Sequence, residues 1–336
     1  MAPPRTIAIT MGDPAGIGAE VVLKALRERA PDPPAAFYVF GDGNALMEHC
    51  RALGLPFELP VIPLEAFRRQ APGETCLVDF ANVHGRLQFG VERSDYGRAS
   101  MEYIEEAVFG CMSGRLDALI TAPINKKSIH LAGYDVPGHT EFLAALTHAP
   151  RVVMSFHACN FWCVLTSTHV PLADAVELVK KQRIVDTIEL AHRELAPYVA
   201  EPAIAVASLN PHGAEGGLFG MEEGLEIIPA VAECAARGLP VKGPFPADTV
   251  YLRALQGDFN IVVNHYHDQG MIPVKLLSFG KAVNVTLGLP FLRASVDHGT
   301  AFDIAGRGVA SPESMLEACR LTLELLDHRG PGKVDG

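Results

Sequence analysis

The chain has 336 residues, with 28 Lys and Arg against 39 Asp and Glu, 13 His, 7 Cys, 49% hydrophobic and 20% charged residues. That composition is globular, and a chain of this size buries roughly three quarters of its unfolded surface, ordinarily in two domains. The formal net charge of -11 argues against a dedicated nucleic-acid or anionic-membrane binder, which needs a basic face, but leaves room for a local basic pocket.

The chain opens on a strand pattern, Thr6 to Thr10, with neither a basic region nor a long apolar segment before it, so no signal peptide is evident and a cytoplasmic location is expected. No later run approaches the roughly 18 apolar residues of a membrane span. Apolar spacing of three and four then predicts a helix over Gly18 to Arg29, followed by a strand at Phe37 to Phe40, a helix over Ala99 to Ser113 and a strand at Ala118 to Thr121. Helices follow at Thr140 to Leu146 and Leu172 to Leu195, with a strand between them at Phe161 to Thr166. Strands at Ala203 to Ser208 and Asn260 to Val263 flank a helix over Glu222 to Arg237, and a last helix covers Pro312 to Leu326. Pro- and Gly-rich breaks fall at Asp32 to Pro34, Tyr134 to Gly138 and Gly238 to Pro246, and the last ten residues read as frayed. Short apolar strands alternating with helices define an α/β protein, a sheet with helices on both faces. The seven Cys are scattered without a Cys-x-x-Cys pair and read as reduced thiols, with Cys159 and Cys163 expected as buried small hydrophobes.

Three predicted strands each deliver a histidine shortly after their ends: Phe161 to Thr166 leads to His169, Ala203 to Leu209 leads to His212, and Ile261 to Val263 leads to His267. In open α/β sheets the ligand crevice lies beyond the carboxyl ends of the strands, so the three imidazoles are candidates for a divalent-metal site with open positions. Each taken alone reads more readily as a turn-capping residue, and it is the shared strand-end position of all three that points to a metal.

The segment Thr121-Ala122-Pro123-Ile124-Asn125-Lys126, followed by Pro137-Gly138-His139-Thr140-Glu141, offers hydroxyl, ammonium and helix N-terminal N–H groups to a phosphate or carboxylate. The plain alternative is that Thr140 caps its helix and Glu141 favours its first turn. Lys275, Asn284 and Arg293 interrupt apolar segments, and a buried cation needs either a bound anion or a structural carboxylate. The glycine-rich segments Gly12 to Gly18 and Gly41 to Leu46 lack the G-x-G-x-x-G spacing and read as turns. Neither a P-loop nor a G-x-S-x-G elbow is present.

Taken together, Thr10 to Gly18, Thr121 to Lys126, Pro137 to Glu141, Tyr266-His267-Asp268-Gln269-Gly270 and Val296 to Gly306 resemble the signature segments of the 4-hydroxythreonine-4-phosphate dehydrogenase family of pyridoxal phosphate biosynthesis, across nearly the whole chain. The last segment also resembles the coenzyme loop of isocitrate and isopropylmalate dehydrogenases. The resemblance implies two α/β/α domains with a cleft between them rather than a Rossmann fold, the first formed by residues 1–130 and 297–336 and the second by 131–296. It implies a divalent metal ion (Zn, Mg or Co) on His169, His212 and His267, substrate contacts at His139, Thr140, Lys275, Asn284 and Arg293, and NAD or NADP at His298, Gly299, Thr300 and Asp303. It also implies a homodimer whose active site draws on both subunits. The implied reaction oxidises the C3 alcohol of 4-(phosphooxy)-L-threonine, with decarboxylation to 3-amino-2-oxopropyl phosphate. His212 and Lys275 are the expected catalytic residues, Lys275 as a proton relay.

Two features depart from the biosynthetic pattern: His212-Gly213-Ala214-Glu215, where His-Ala-Gly-Glu is common, and Asn125, where many have His. The run Asn125-Lys126 with His130-Leu131-Ala132-Gly133, and Gly217-Leu218-Phe219-Gly220, resemble a sister group acting on D-threonate or D-erythronate 4-phosphate, which stands as the alternative. An aromatic cis-dihydrodiol dehydrogenase is disfavoured by Pro137 to Thr140 and Arg293, and a non-catalytic binding protein by the retained histidines and the His298 to Gly306 segment.

Overall fold

A computed structural model describes residues 4–28, 35–70 and 73–329. The predicted break at Asp32 to Pro34, the helix end at Arg29 and residues 330–336 of the tail lie outside the described residues. In chain order the elements are β1 (Arg5–Thr10), α1 (Gly18–Glu28), β2 (Ala35–Gly41), α2 (Gly43–Leu53), β3 (Val61–Pro63), α3 (Leu64–Arg69), β4 (Cys76–Asp79), α4 (Ser94–Met112), β5 (Ala118–Thr121), α5 (Lys126–Leu131), α6 (His139–Thr147), β6 (Val153–Ala158) and β7 (Phe161–Leu165). They continue with α7 (Leu172–Glu177), α8 (Lys181–Leu195), β8 (Ile204–Ala207), α9 (Ile228–Ala236), β9 (Val241–Phe245), α10 (Ala247–Leu255), β10 (Ile261–Asn264), α11 (His267–Ser278), β11 (Val283–Leu287), β12 (Leu292–Ser295) and α12 (Glu313–Arg329). The protein is α/β, as its alternating pattern predicts. Two compact units form, one of residues 1–150 with 289–336 and one of residues 151–288.

In the first unit the strands run β3-β4-β2-β1-β5-β12, every pair parallel. The middle strands are wholly buried at Ile7 to Thr10 and Ala118 to Thr121, which is why they read as unbroken apolar runs rather than alternating ones. Parallel order brings their carboxyl ends to one edge, where the following loops knit together. The Asp13 N–H donates to the Pro123 carbonyl (2.9 Å), Gly90 to Ala15 (2.9 Å) and Ile17 to Thr300 (3.0 Å). A Cβ on Gly12 would lie 2.2 Å from the Pro123 oxygen, and one on Gly16 would lie 3.0 Å from Thr300 Cβ. These glycines let loop pack on loop, which accounts for spacing unlike a phosphate-binding fingerprint.

In the second unit the order is β11-β6-β7-β10-β8-β9, with β6 antiparallel to both β11 and β7 and the remaining pairs parallel. Phe156, Phe161, Leu165, Val250 and Val262 anchor the core on one face.

All six predicted strands form, and four predicted features need correction. The helix expected over Leu172 to Leu195 is two, α7 and α8, parted at Leu178–Lys180, where the Lys181 N–H is taken by Glu226 Oε2 (2.6 Å). The segment expected to be one helix over Glu222 to Arg237 opens with a π-helical turn at Glu223–Ile227 before α9. The break expected at Gly238 to Pro246 contains β9, whose place at the end of the order tolerates Pro244 because an outer strand need not donate every N–H. Cys163 is buried as expected, whereas Cys159 is exposed, with φ 55° in the tight turn between β6 and β7. All seven Cys are free thiols.

Candidate active site

The three strands that precede the candidate metal histidines are neighbours, in the order β7-β10-β8 and parallel, so His169, His267 and His212 all leave the same edge of one sheet. His169 and His267 come together, with ring centroids 5.7 Å apart. They line a cavity of about 260 Å³ with Thr168, Tyr266 and Asp268. Asp268 Oδ1 lies 2.7 Å from His267 Nδ1, the arrangement by which a carboxylate fixes the tautomer of a ligating imidazole and leaves Nε2 for a metal. This donor set fits a borderline divalent cation such as zinc or cobalt. His212 is exposed and does not line the cavity, and the described residues contain no cluster of three or more metal-ligating side chains.

The turn bearing His212 is unusual. Residues 212–217 all have positive φ, including the non-glycine residues His212 (53°), Ala214 (64°) and Glu215 (43°). Each such residue costs roughly 1–2 kcal/mol, so surrounding contacts must hold the turn.

His265 and Gln269, the latter within the Tyr266 to Gly270 segment, brace these strand ends. His265 is fully buried and its Nε2 lies 2.8 Å from the Ala207 carbonyl, while the Thr166 and Ser167 hydroxyls donate to its own carbonyl (3.0 and 2.8 Å). Gln269 accepts from the His265 N–H (2.8 Å) and donates to the Ser208 carbonyl (2.6 Å). Burial pushes the His265 imidazole down to about 4, so it sits neutral between β8 and β10. Only its place in the Asn264-His265-Tyr266-His267 run could have drawn notice.

The first unit holds an anion corner. Arg293, on β12, is 2% exposed and donates to the Thr121 hydroxyl at the end of β5 (2.6 Å). Burial lowers its pKa to about 9, with Glu141 opposing, so the guanidinium stays charged at neutral pH. Gly138 is the N-cap of α6 without a side-chain cap, and His139 and Thr140 are its first two residues, so Thr140 is not the cap expected. The first-turn N–H groups have no intrahelical partner. Burial and the Arg293 charge push His139 down to about 3, and its Nε2 is a buried atom without a hydrogen-bond partner. An orphaned imidazole nitrogen, an uncapped helix start and a buried guanidinium suit a phosphate.

On the same unit the His298 to Asp303 loop follows β12 and packs on the β1–α1 turn through Thr300. His298 Nε2 is another buried atom without a partner, Ala301 has φ 41° and Asp303 is exposed. A polar ligand such as a coenzyme fits that unsatisfied nitrogen. Asp13, at the β1 end, is fully buried; its Oδ1 accepts from the Ala15 N–H (2.9 Å) and burial raises its pKa to about 6. Lys275 is exposed on α11, and Asn284 lies on β11 opposite Phe156, its Oδ1 buried without a partner. Both belong to the second unit, and His139, Thr140 and Arg293 to the first.

A family model described as "Pyridoxal phosphate biosynthetic protein PdxA" matches residues 34–322. A D-threonate 4-phosphate dehydrogenase of Cupriavidus necator is 43% identical, covering 96% of this chain and 98% of its own. A 4-hydroxythreonine-4-phosphate dehydrogenase of Geobacter metallireducens is 42% identical, covering 97% of each. The crystal structure of 4-hydroxythreonine-4-phosphate dehydrogenase from Klebsiella pneumoniae superposes with a TM-score of 0.86 at 38% identity, over 96% of this chain and 99% of that one. The protein is an oxidoreductase of the dehydrogenase class. It belongs to the PdxA family.

Proposed function

We propose that the protein catalyses NAD- or NADP-linked, divalent-metal-dependent oxidation, with decarboxylation, of a four-carbon hydroxy-acid phosphate, 4-(phosphooxy)-L-threonine being the first substrate to test. The observation that carries this reading is the delivery of His169, His212 and His267 from three adjacent parallel strands to one sheet edge. His169, His212 and His267 would hold the metal, and His298, Gly299, Thr300 and Asp303 would contact the coenzyme.

When bound, the metal supplies Lewis acidity at a substrate oxygen and the coenzyme supplies the oxidising equivalent. The protein's own part is binding, orientation and proton handling. Arg293, the Thr121 hydroxyl it bonds, and the first turn of α6 would take the phosphate, with neutral His139 able to donate or accept at Nε2. Asn284 and Lys275 would orient the rest of the substrate, Lys275 being the candidate to move a proton. Asp268 orients His267.

A homodimer with a shared site agrees with the apolar residues exposed after the His212 turn: Leu218, Phe219, Met221, Leu225 and Ile228. Among the described residues no helix is long and apolar enough to cross a membrane. A cytoplasmic location is part of the same proposal.

D-threonate 4-phosphate is the second reading. It is favoured by the Cupriavidus relative and by Asn125, whose Oδ1 accepts from the Ser128 N–H (2.9 Å) and so caps α5. Reduced-coenzyme formation by chelator-stripped protein, resupplied with Zn, Mg or Co, tests the whole reading with both substrates side by side. Metal-dependent turnover of either supports it, the higher kcat/KM naming the substrate, and no turnover of any four-carbon acid phosphate would refute it.

A further inference from the structure

The turn that carries His212 is strained, since residues 212–217 run left-handed and three of them are not glycine. We propose that Glu223 is the positioning residue that fixes this turn and so sets where the His212 imidazole is presented. The inference rests on the reading of His212 as a metal ligand.

Glu223 is 1% exposed and comes from the π-helical turn that follows. Its Oε1 accepts the Leu209 N–H (2.8 Å) and the Asn210 N–H (2.6 Å), and its Oε2 accepts from Asn210 Nδ2 (2.8 Å). All three bonds go to the two residues that lead into Pro211 and His212. Glu222 Oε2 takes the same Asn210 amide (2.8 Å), so two successive carboxylates grip one side chain at the mouth of the turn. Gly220 leaves space for that grip: a Cβ there would lie 2.4 Å from Asn210 Nδ2 and 2.6 Å from Glu222 Oε2. Inside the turn, the buried Ala214 offers its carbonyl to the N–H groups of Gly217 (2.9 Å), Leu218 (2.8 Å) and Phe219 (3.3 Å). A buried carboxylate is retained where it satisfies several N–H donors, and here the donors define the course of one loop. A residue serving only the stability of the fold would tie core elements together. Glu223 instead ties the approach to a histidine that stands exposed beyond its strand.

Cobalt(II) titration of the metal-free protein, followed by the visible absorption of the bound ion, tests the proposal in wild type, Glu223→Ala, Glu223→Gln and His212→Ala. Glu223→Ala should weaken cobalt binding at least tenfold and speed amide hydrogen exchange at Gly217, Leu218 and Phe219. Glu223→Gln, which keeps an oxygen for the two backbone N–H groups, should restore most of the affinity. If Glu223→Ala does not fold, Gly220→Ala applies the same test by pushing Asn210 away from the carboxylates, with the same expected loss. Wild-type affinity in Glu223→Ala or Gly220→Ala, beside a loss in His212→Ala, overturns the positioning role alone. Unchanged affinity in His212→Ala overturns the ligand reading beneath it.

Discussion

His267 faces His169 at 5.7 Å between ring centroids while its Nδ1 lies 2.7 Å from Asp268 Oδ1, so one imidazole of the pair is oriented by a carboxylate and the other is presented to it across a cavity. Carboxylates placed behind ligating histidines typically carry a 10- to 100-fold share of metal affinity. Replacing Asp268, whose side chain is 72% exposed, should leave the thermal unfolding midpoint unchanged. Asp268→Ala is expected to lower zinc affinity by about 10- to 100-fold in a competitive chelator titration. Equal affinity would remove Asp268 from the site.

Arg293 offers a second handle, because its charge is buried against the Thr121 hydroxyl and Glu141 is exposed to solvent. Arg293→Met removes the cation and leaves an unbranched apolar side chain in its buried place, so the protein should remain folded. KM for the phosphorylated substrate should rise at least tenfold, with a smaller change in kcat. An unchanged KM would exclude Arg293 from substrate binding.

Asp13 ties stability to pH. Its carboxyl titrates near 6 in the folded chain against an ordinary value of 3.8, so the native state binds the proton more tightly than the unfolded state does. Stability should therefore fall as pH rises from 3.8 towards 6 and stay lower above it, by about 3 kcal/mol from this group. Asp13→Asn keeps an oxygen for the Ala15 N–H and removes the ionisation. Denaturant melts should show the variant stabilised relative to wild type at pH 8 but not at pH 4; an equal difference at both would contradict the assignment.

His139 works in the opposite direction along the pH axis. Its pKa drops from 6.5 to about 3 on folding, so below pH 6.5 the unfolded chain takes up a proton that the native site refuses. Stability is lost by about 2 kcal/mol between pH 6.5 and 5. In His139→Gln, the loss in unfolding free energy over that interval should shrink by about that amount, and an undiminished acid slope would count against a neutral buried imidazole.

Much of this was readable from residues alone, for identifiable reasons. Ile7 to Thr10, Ala118 to Thr121 and Phe161 to Leu165 are buried on both faces, so they announce themselves as apolar runs. β11 and β12 did not, because Asn284 and Arg293 place polar atoms within strands, yet the same interruptions flagged them as site candidates. β9 was hidden by the Gly and Pro that an outer strand tolerates. The strand-end histidines could be found because each follows a clear apolar strand. Glu223 and His265 could not: their importance lies in hydrogen bonds to backbone groups distant in sequence or fixed by an unusual turn, and no spacing rule reports those.

His169, His212 and His267 are proposed to hold one divalent ion between them. Elemental analysis of purified wild-type protein, dialysed against buffer containing zinc or cobalt and then metal-free buffer, should find about one ion per chain, and His169→Ala, His212→Ala and His267→Ala should each lose it while remaining folded. Full metal content in any of the three variants would contradict the site.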